Sequence, residues 1–403
     1  MSGAKTGWRA NTDADIDVSA SLSERDSPVY SMRLSLVDDV QALESAWLEL
    51  QERSDCSFFQ SWGWIGSWLE TLPEHRRLYL LQVLHDRRTV GAALLGYRTA
   101  RRHKLIVSRM LMLSQTGIAQ QDALTVEHNG MLLERGMENE ILRCCLPWLA
   151  GHVMPWDELA VAGLEQDDGQ RYLNAAAQAD VRASVTLRKP YYLVDLAALR
   201  ESGREFLATL SRNTRHQIRR SIRSYEEAGE LALRAATSIE EVMQFFDALR
   251  TLHQKYWEDK GWPGAFAGRF ANSFHESLIA RRFPLGEVQL LEVSAGGEPF
   301  GYLYNFVFRG KVYNYQSGFV YGDNAHLKPG MVSHYKAIQY NLQQGLTAYD
   351  FLMGDHRYKR SLATTEREML WLILQKRRWR FVVEDRARTL RDWARTQFRK
   401  DSA

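Results

Sequence analysis

The sequence predicts a mixed α/β protein with two domains. Segments with the alternation typical of strands and segments with the 3.6-residue spacing of helices follow one another along most of the chain. This order of elements occurs twice, and 403 residues with 45% hydrophobic content are enough for two cores. We expect domains at residues 31–190 and 191–383, a disordered, aperiodic polar tail at 1–30, and a basic C-terminal helix at 384–403.

The first half begins with a strand and a helix and continues as a mixed unit. Alternation between turn residues predicts strands at Met32–Val37, Leu78–Leu84, Thr89–Tyr97, Leu105–Leu113, Ala123–Val126, Glu158–Val161 and Val181–Leu187. Helical spacing of apolar residues predicts helices at Leu43–Leu50, Glu138–Leu149 and Gln170–Ala179.

The second half repeats this organisation with different residues. We predict strands at Tyr192–Val194, Leu231–Ala235, Val288–Val293, Phe300–Phe308, Val312–Val320 and Ala348–Met353. Helices are predicted around Phe206–Ala228, at Ile239–Tyr256, at Phe266–Arg281, and from Met331 towards Gly345.

Composition excludes several classes of protein. The 52 basic and 49 acidic residues nearly cancel, so overall charge does not predict binding to nucleic acid or to a membrane surface. No apolar run approaches the roughly 18 residues of a membrane span. Three cysteines without a C-x-x-C motif are typical of packed thiols in a reducing compartment, so we expect a cytoplasmic enzyme. Histidines lack ligand spacing, so no metal is expected.

The most informative segment runs from Lys311 to Leu362. It predicts a strand, a turn rich in Asp, Asn, Pro and Gly, an amphipathic helix, a second strand and a polar loop. In such a unit the first N–H groups of the helix lie at one end of a sheet, where they can bind an anion. A ligand that carries phosphate is therefore the first candidate.

These residues resemble a known family. The order Tyr-x-Tyr-x-Ser-Gly, Lys-Pro-Gly, helix, and Tyr-Asp-Phe-Leu-x-Gly-Asp-x-x-Tyr-Lys is similar to acyltransferases of the GNAT superfamily related to the CelD group of cellulose biosynthesis. It also resembles, more distantly, the Fem peptidyltransferases. The specific part covers Lys328–Gly330 and Tyr349–Lys359, and a looser likeness extends from about Met32 to Phe381. The resemblance implies tandem GNAT-like domains, each a mixed sheet flanked by helices.

The resemblance also implies a cofactor site. In this superfamily the turn and helix after the fourth strand bind the pyrophosphate of acyl-coenzyme A, and two splayed strands admit its pantetheine arm. The usual Gly-rich spelling of that turn is replaced here by Lys328-Pro329-Gly330. We therefore expect acyl-CoA, most simply acetyl-CoA, to bind at the following residues: Phe319, His326, Lys328, Gly330, Met331 and Lys359.

The loop Gly354–Lys359 is the predicted catalytic segment. Acyl transfer needs a base for the nucleophile, an acid for the leaving thiolate and donors for the oxyanion. Asp355 or His356 is the expected base, Tyr358 the acid, and Lys359 a ligand for an anionic group. The alternative is a solvated polar loop in which Asp355 pairs with a nearby cation.

Two further segments are predicted to bind substrate. Arg212, Arg219 and Arg223 form a stripe on a helix with Ser211 as its N-cap, which indicates either a solvated face or a surface for a polyanion. An aromatic loop and one strand face supply the other expected substrate contacts, which are Tyr256, Trp257, Tyr315 and Ser317. The alternative for the aromatic loop is packing in the core.

Together these features predict transfer of an acyl group from acyl-CoA to an amine or hydroxyl of a sugar, polysaccharide precursor or small metabolite, by direct attack on the thioester. One alternative is a Fem-like transferase that uses aminoacyl-tRNA, the single case in which nucleic acid is an expected partner. Another is a non-catalytic component of an exopolysaccharide system.

Overall fold

The computed structural model describes residues 30–73, 77–102, 106–151, 154–324, 326–384 and residue 386. The predicted tail and the predicted C-terminal helix therefore lie outside the described residues, except for Tyr30, Glu384 and residue 386. Within this range the predicted mixed α/β fold class is confirmed.

Both halves of the chain contain strands and helices. The strands are β1 Tyr30–Leu36, β2 Tyr79–His85, β3 Arg88–Arg102, β4 Ile106–Leu113, β5 Leu132–Leu133, β6 Glu158–Glu165, β7 Val181–Asp195, β8 Leu231–Ala235, β9 Val288–Ala295, β10 Glu298–Phe308, β11 Lys311–Phe319, β12 Ala348–Met353 and β13 Thr365–Lys376. The helices are α1 Val40–Glu52, α2 Trp62–Thr71, α3 Glu138–Gly151, α4 Gln166–Gln178, α5 Leu196–Ser202, α6 Phe206–Thr209, α7 Arg212–Glu226, α8 Ile239–Glu258, α9 Arg269–Arg282, α10 Pro329–Gln343 and α11 Arg357–Leu362.

All these strands belong to one mixed sheet of 13 strands. Its order is β1-β2-β3-β4-β6-β13-β7-β12-β11-β10-β9-β8, and β5 pairs with β3 beside this path. Two pairs are parallel, β4 with β6 and β11 with β12, and each is joined by a segment that contains a helix, as parallel pairing requires. The strand–helix–strand unit predicted for the second half is therefore present as β11, α10 and β12.

The two halves exchange their last strands. The final strand β13 pairs with β6 and β7 of the first half, while β7 pairs with β12 of the second. The boundary that we expect after residue 190 lies inside β7. The two strands predicted at Val181–Leu187 and Tyr192–Val194 are thus one strand, in which Pro190 lies opposite Glu368.

Two other local predictions are wrong. The predicted strand at Ala123–Val126 is turn and extended chain, because its apolar residues Leu124 and Val126 pack on the core without a partner strand. The predicted loop at Gly354–Lys359 ends inside the short helix α11. Strand β13 was not predicted at all.

An aromatic core packs helices α2 and α9 against strand β10 of the sheet. Phe58 stacks on Phe306 with 4.4 Å between ring centroids, and Trp64 packs edge-on against Phe274 at 4.8 Å. These residues join helix α2 and the segment before it to helix α9 and strand β10. The described part of the chain contains no helix that is long and apolar enough to cross a bilayer.

Candidate active site

The central feature of the site is the parting of β11 and β12. These strands pair only through Lys311 with Ala348, Val312 with Tyr349, and Tyr313 with Asp350. Beyond this point β11 continues to Phe319 paired only with β10, so the peptide groups on its other edge have no strand partner. A cavity of about 300 Å³ lies in the gap.

Four segments line this cavity. They are the loop after β4, the C-terminal end of α8, the unpaired part of β11 with Tyr321, and the end of β12 with the start of α11. The cavity brings together the following residues predicted from the sequence: Tyr256, Trp257, Tyr315, Ser317, Phe319, His356, Tyr358 and Lys359.

Tyr358 is held by aromatic stacking. Its ring stacks on His334, with 5.1 Å between centroids and 12° between planes, and burial lowers the pKa of His334 to about 3, so the supporting ring is neutral. Burial raises the pKa of the Tyr358 phenol well above its usual value, and the phenol has no hydrogen-bond partner among the described residues. It is therefore a protonated donor inside the cavity.

Lys359 lies in the floor of the cavity with its ammonium turned into the protein. Nζ donates to the carbonyl oxygens of Phe351, Leu352 and Met353 at 2.6, 3.2 and 2.6 Å. These carbonyls converge because Leu352 has a φ of 59°, in the left-handed region that is unusual for leucine. Burial lowers the pKa of Lys359 to about 8, although Glu127 and Asp350 oppose this change.

The two other predicted acid–base residues are His356 and Asp355, and only His356 lines the cavity. His356 lines the cavity, and burial, with the charge of Lys359, lowers the pKa of its imidazole, so the ring is neutral and can accept a proton. Asp355 does not line the cavity. It is exposed, forms an ion pair with Arg360 and accepts a hydrogen bond from the Tyr192 hydroxyl at 3.3 Å, because α11 brings Arg360 beside it.

The cavity contains a carboxyl group that sequence reasoning missed. Glu127, in the loop after β4, is only 4% exposed and accepts a 2.5 Å hydrogen bond from the backbone N–H of Met353. Burial raises the pKa of Glu127 to about 7, against the opposing effects of that hydrogen bond and of Lys359. Its only sequence signal is a Glu-His pair directly after an apolar run.

The start of α10 is the expected anion site. Pro329 and Gly330 are its first residues, and the helical hydrogen bonds begin with Val332 N–H to the Lys328 carbonyl. The N–H groups of Gly330 and Met331 thus have no partner within the helix. The Gly330 Cα lies against the ring of Phe319, which lines the cavity, so a Cβ there would be 3.2 Å from that ring.

A basic surface adjoins this helix start. Helix α7 is capped by Ser211, which accepts from Thr214 N, as predicted. A groove of about 580 Å³ on this helix is lined by Arg212, Arg215, His216, Arg219, Ile222 and Arg223, which we call the α7 groove. Ser221 of α7 accepts a hydrogen bond from Lys328 N at 2.9 Å, and Arg220 contacts His326.

Aromatic side chains form the mouth of the cavity. Tyr256 and Tyr321 stack at 5.4 Å, and the Lys260 ammonium lies 4.0 Å from the centre of the Tyr256 ring. Trp257 packs edge-on against Tyr256. The described residues contain no cluster of His, Cys, Asp or Glu suited to a metal ion.

Part of the chain matches a known protein family. Residues 212–360 match the family model of the acetyltransferase (GNAT) domain. Among curated proteins, no significant sequence match was found. The chain is similar to the crystal structure of FemX, with a TM-score of 0.53 and 12% identity over 84% of this chain and 96% of FemX.

Two further solved structures align with this chain. A conserved protein of unknown function from Bacteroides thetaiotaomicron aligns with a TM-score of 0.51 and 10% identity over 85% of this chain and 100% of its own. A tandem GNAT protein from the clavulanic acid biosynthesis pathway aligns with a TM-score of 0.42 and 12% identity, over 87% and 99% of the two chains. The GNAT domain matched at residues 212–360 supports an acyltransferase, and the likeness to FemX and to the Bacteroides thetaiotaomicron protein concerns the fold alone.

Proposed function

We propose that this protein transfers an acyl group from acyl-CoA to an amine or hydroxyl of a small or carbohydrate acceptor. The observation that carries this proposal is the cavity between the parted strands β11 and β12, which opens beside the start of α10 within the matched domain. Acetyl-CoA is the donor that we favour, and no metal is required by the chemistry.

The proposed cofactor site follows the open edge of β11. The pantetheine arm lies in the gap beside Phe319, and the pyrophosphate meets the free N–H groups of Gly330 and Met331. Lys328 and His326 precede this helix and add positive or polar groups at its end. Lys359, which we expected to bind an anion, has its ammonium on three carbonyls, so we assign it to shaping the end of β12.

The proposed reaction is direct attack on the thioester. The acceptor nitrogen or oxygen bonds to the carbonyl carbon, its proton passes to the Glu127 carboxylate, and the C–S bond breaks as Tyr358 gives its proton to the leaving sulfur. N–H groups on the open edge of β11 stabilise the oxyanion. His356 is the second candidate for the base, and Asp355 is the weakest, because its carboxylate already pairs with Arg360 outside the cavity.

The proposed acceptor is a sugar, a polysaccharide precursor or another small metabolite. Tyr256 and Trp257 provide an aromatic wall of the kind on which a sugar ring packs, and Tyr315 and Ser317 also line the cavity. The specific relation to CelD-type polysaccharide biosynthesis is part of this proposal. So is a cytoplasmic location, which is compatible with three free thiols at Cys56, Cys144 and Cys145.

A second candidate function is transfer from aminoacyl-tRNA. Its support is the likeness in fold to FemX together with the arginines of the α7 groove, which suit a phosphate backbone. A single experiment separates the two candidates: calorimetry of the purified chain with CoA and, in parallel, with tRNA. Binding of CoA, and release of free thiol from acetyl-CoA with a panel of amines and sugars, supports the first proposal. Binding of tRNA without CoA overturns it.

A further inference from the structure

His128 lies directly after Glu127 and is clamped between two carboxylates. Its Nδ1 is 2.7 Å from Glu165 Oε1, and its Nε2 is 3.0 Å from Asp350 Oδ2. The ring is buried and packs edge-on against Tyr191 at 4.9 Å and Tyr313 at 5.6 Å. Side chains from β6, β7, β11 and β12 therefore all hold this imidazole.

The two carboxylates that contact His128 lie where strand pairing ends, one on β12 and one on β6. Asp350 is the last residue of β12 that pairs with β11, so it marks the place where the two strands part. Its Oδ1 also accepts a 2.7 Å bond from Leu352 N, the residue with positive φ. Glu165 is the last residue of β6. One imidazole thus connects the first half of the sheet to the point where the cavity opens.

The backbone around His128 turns sharply at this place. His128 has a φ of 46°, which is uncommon for a residue other than glycine, and its carbonyl accepts a 2.7 Å hydrogen bond from the Ser57 hydroxyl. The turn lets Glu127 line the cavity while His128 contacts the carboxylates. Gly163 of β6, with φ 71°, allows the backbone of Val126 to lie close to this strand. A Cβ at Gly163 would be only 3.0 Å from the Val126 carbonyl oxygen.

The carboxylates around the His128 ring favour its protonated, imidazolium form. Burial alone lowers the pKa of His128, but the adjacent Asp350 and Glu165 raise it to about 10. For Glu165 the effects are reversed. Burial acts to raise the pKa of its carboxyl group, but the hydrogen bond from His128 lowers this pKa to about 2. The imidazolium therefore remains charged at neutral pH and does not itself relay protons.

We propose that His128 is a positioning residue, whose ion pairs with Asp350 and Glu165 fix the Glu127 carboxylate against the cavity and on the Met353 amide. This proposal rests on the proposed function for its effect on turnover, but its structural part does not. Loss of these ion pairs should free the Glu127 loop from β12. A misplaced catalytic group lowers rate more than it weakens binding of acyl-CoA, whose proposed pyrophosphate site is at the start of α10.

The test compares His128→Gln, Glu165→Gln and, as a control, His85→Gln, whose imidazole lies on β2 away from the cavity. In His128→Gln we expect kcat to fall by about 10- to 100-fold while the KM for acetyl-CoA changes less than about twofold. Glu165→Gln keeps the ion pair of His128 with Asp350 and should give a smaller loss of the same kind. His85→Gln should match wild type.

Hydrogen exchange of the Met353 amide supplies a measurement that needs no substrate. We expect exchange at least about tenfold faster in His128→Gln than in wild type, with amides of the β9–β10 pair unchanged. Unchanged Met353 exchange overturns the proposal, even if the wild-type chain proves unable to use acyl-CoA. Faster exchange with a kcat within twofold of wild type also overturns it, because His128 would then be structural only.

Discussion

The backbone N–H of Met353 donates a 2.5 Å hydrogen bond to Oε2 of Glu127, across 226 positions of sequence. Met353 ends β12 in the second half, and Glu127 belongs to the loop after β4 in the first. The cavity of the matched GNAT domain therefore includes a carboxyl group from outside the matched residues 212–360. The first half of the chain therefore contributes a carboxyl group to the site.

We predict that Glu127→Gln lowers kcat by about 10²- to 10⁴-fold, the usual contribution of a general base. Burial raises the pKa of Glu127 to about 7, and the base must be ionised, so wild-type kcat should rise as pH increases through about 7. Steady-state rates from pH 5.5 to 8.5 would show this rise as a limb of the pH–rate profile. The limb should be absent in Glu127→Gln.

A suitable control for this change is Glu298→Gln, which removes an exposed carboxylate at the start of β10. It should leave the pH profile intact. If Glu127→Gln retained wild-type kcat and the same limb near pH 7, the base would have to be His356 or the acceptor itself.

We predict that Tyr358→Phe lowers kcat by about 10²- to 10³-fold with little change in KM for acyl-CoA. The phenol is a protonated donor that lacks a partner among the described residues, whereas the ring that remains in phenylalanine still stacks on His334. Rates at saturating acceptor and the midpoint of thermal unfolding should be measured together. Equal turnover in the two proteins would show that the tyrosine is only a packing residue.

The predictable parts of the fold are those fixed by local pattern. Strands β10 and β11 alternate strongly around the turn at Arg309–Gly310, so both were expected, and α7 was expected from its stripe and its Ser211 cap. The exchange of β7 and β13 depends on pairing between residues more than 160 positions apart, which no local pattern records. A continuous strand through Pro190 was missed for this reason.

The same distinction applies to the candidate site. Tyr358 and His356 were accessible to sequence reasoning because they follow a recognisable strand. Glu127 was not, because tertiary packing alone brings its loop to β12. Asp355 was expected in the cavity, but the short helix α11 brings Arg360 to it and holds it outside. The roles of all these residues remain predictions.

We predict that Lys359→Met destabilises the protein, by about 1–3 kcal/mol, because three buried carbonyls lose their shared donor. The loss should depend on pH. Folding lowers the pKa of this lysine from 10.5 to about 8, so between these values the unfolded chain binds more protons and the free energy of unfolding rises with pH.

Urea unfolding of wild type and Lys359→Met at pH 7 and pH 9.5 measures this effect. The difference in free energy of unfolding between the two proteins should be greater at pH 9.5. A difference that is the same at both values would mean that the lysine titrates normally. Lys255→Met, an exposed change on α8, serves as the control.

We predict that Gly330→Val weakens binding of CoA by about tenfold or more. The added side chain would press on Phe319 and cover the free N–H groups at the start of α10, where the helix dipole favours a phosphate. Calorimetry with CoA and with dephospho-CoA measures the change. Gly322→Val, at a glycine with open space around it, is the matched control. Unchanged affinity in Gly330→Val would remove the pyrophosphate from this helix.

The α7 groove provides the last prediction. Arg212, Arg219 and Arg223 line it and have no acidic partner among the described residues, so their charge is available to an anionic ligand. Replacing all three with Gln should weaken binding of a polyanion and flatten the plot of log affinity against log salt. The slope should fall by about 0.7–0.9 for each phosphate that the arginines no longer neutralise.

Folding should survive this triple change, because Ile218 and Tyr225, which pack into the core, lie on another face of α7. The matched control removes the same charge elsewhere, with Arg87, Arg98 and Arg101 of the first half changed to Gln. Titrations of CoA and of tRNA at 50, 100 and 200 mM salt compare both variants with wild type. A reduced slope for CoA alone assigns the groove to the cofactor, and a reduced slope for tRNA favours the aminoacyl-tRNA alternative. Slopes equal to wild type for both ligands would make the stripe an ordinary solvated helix face.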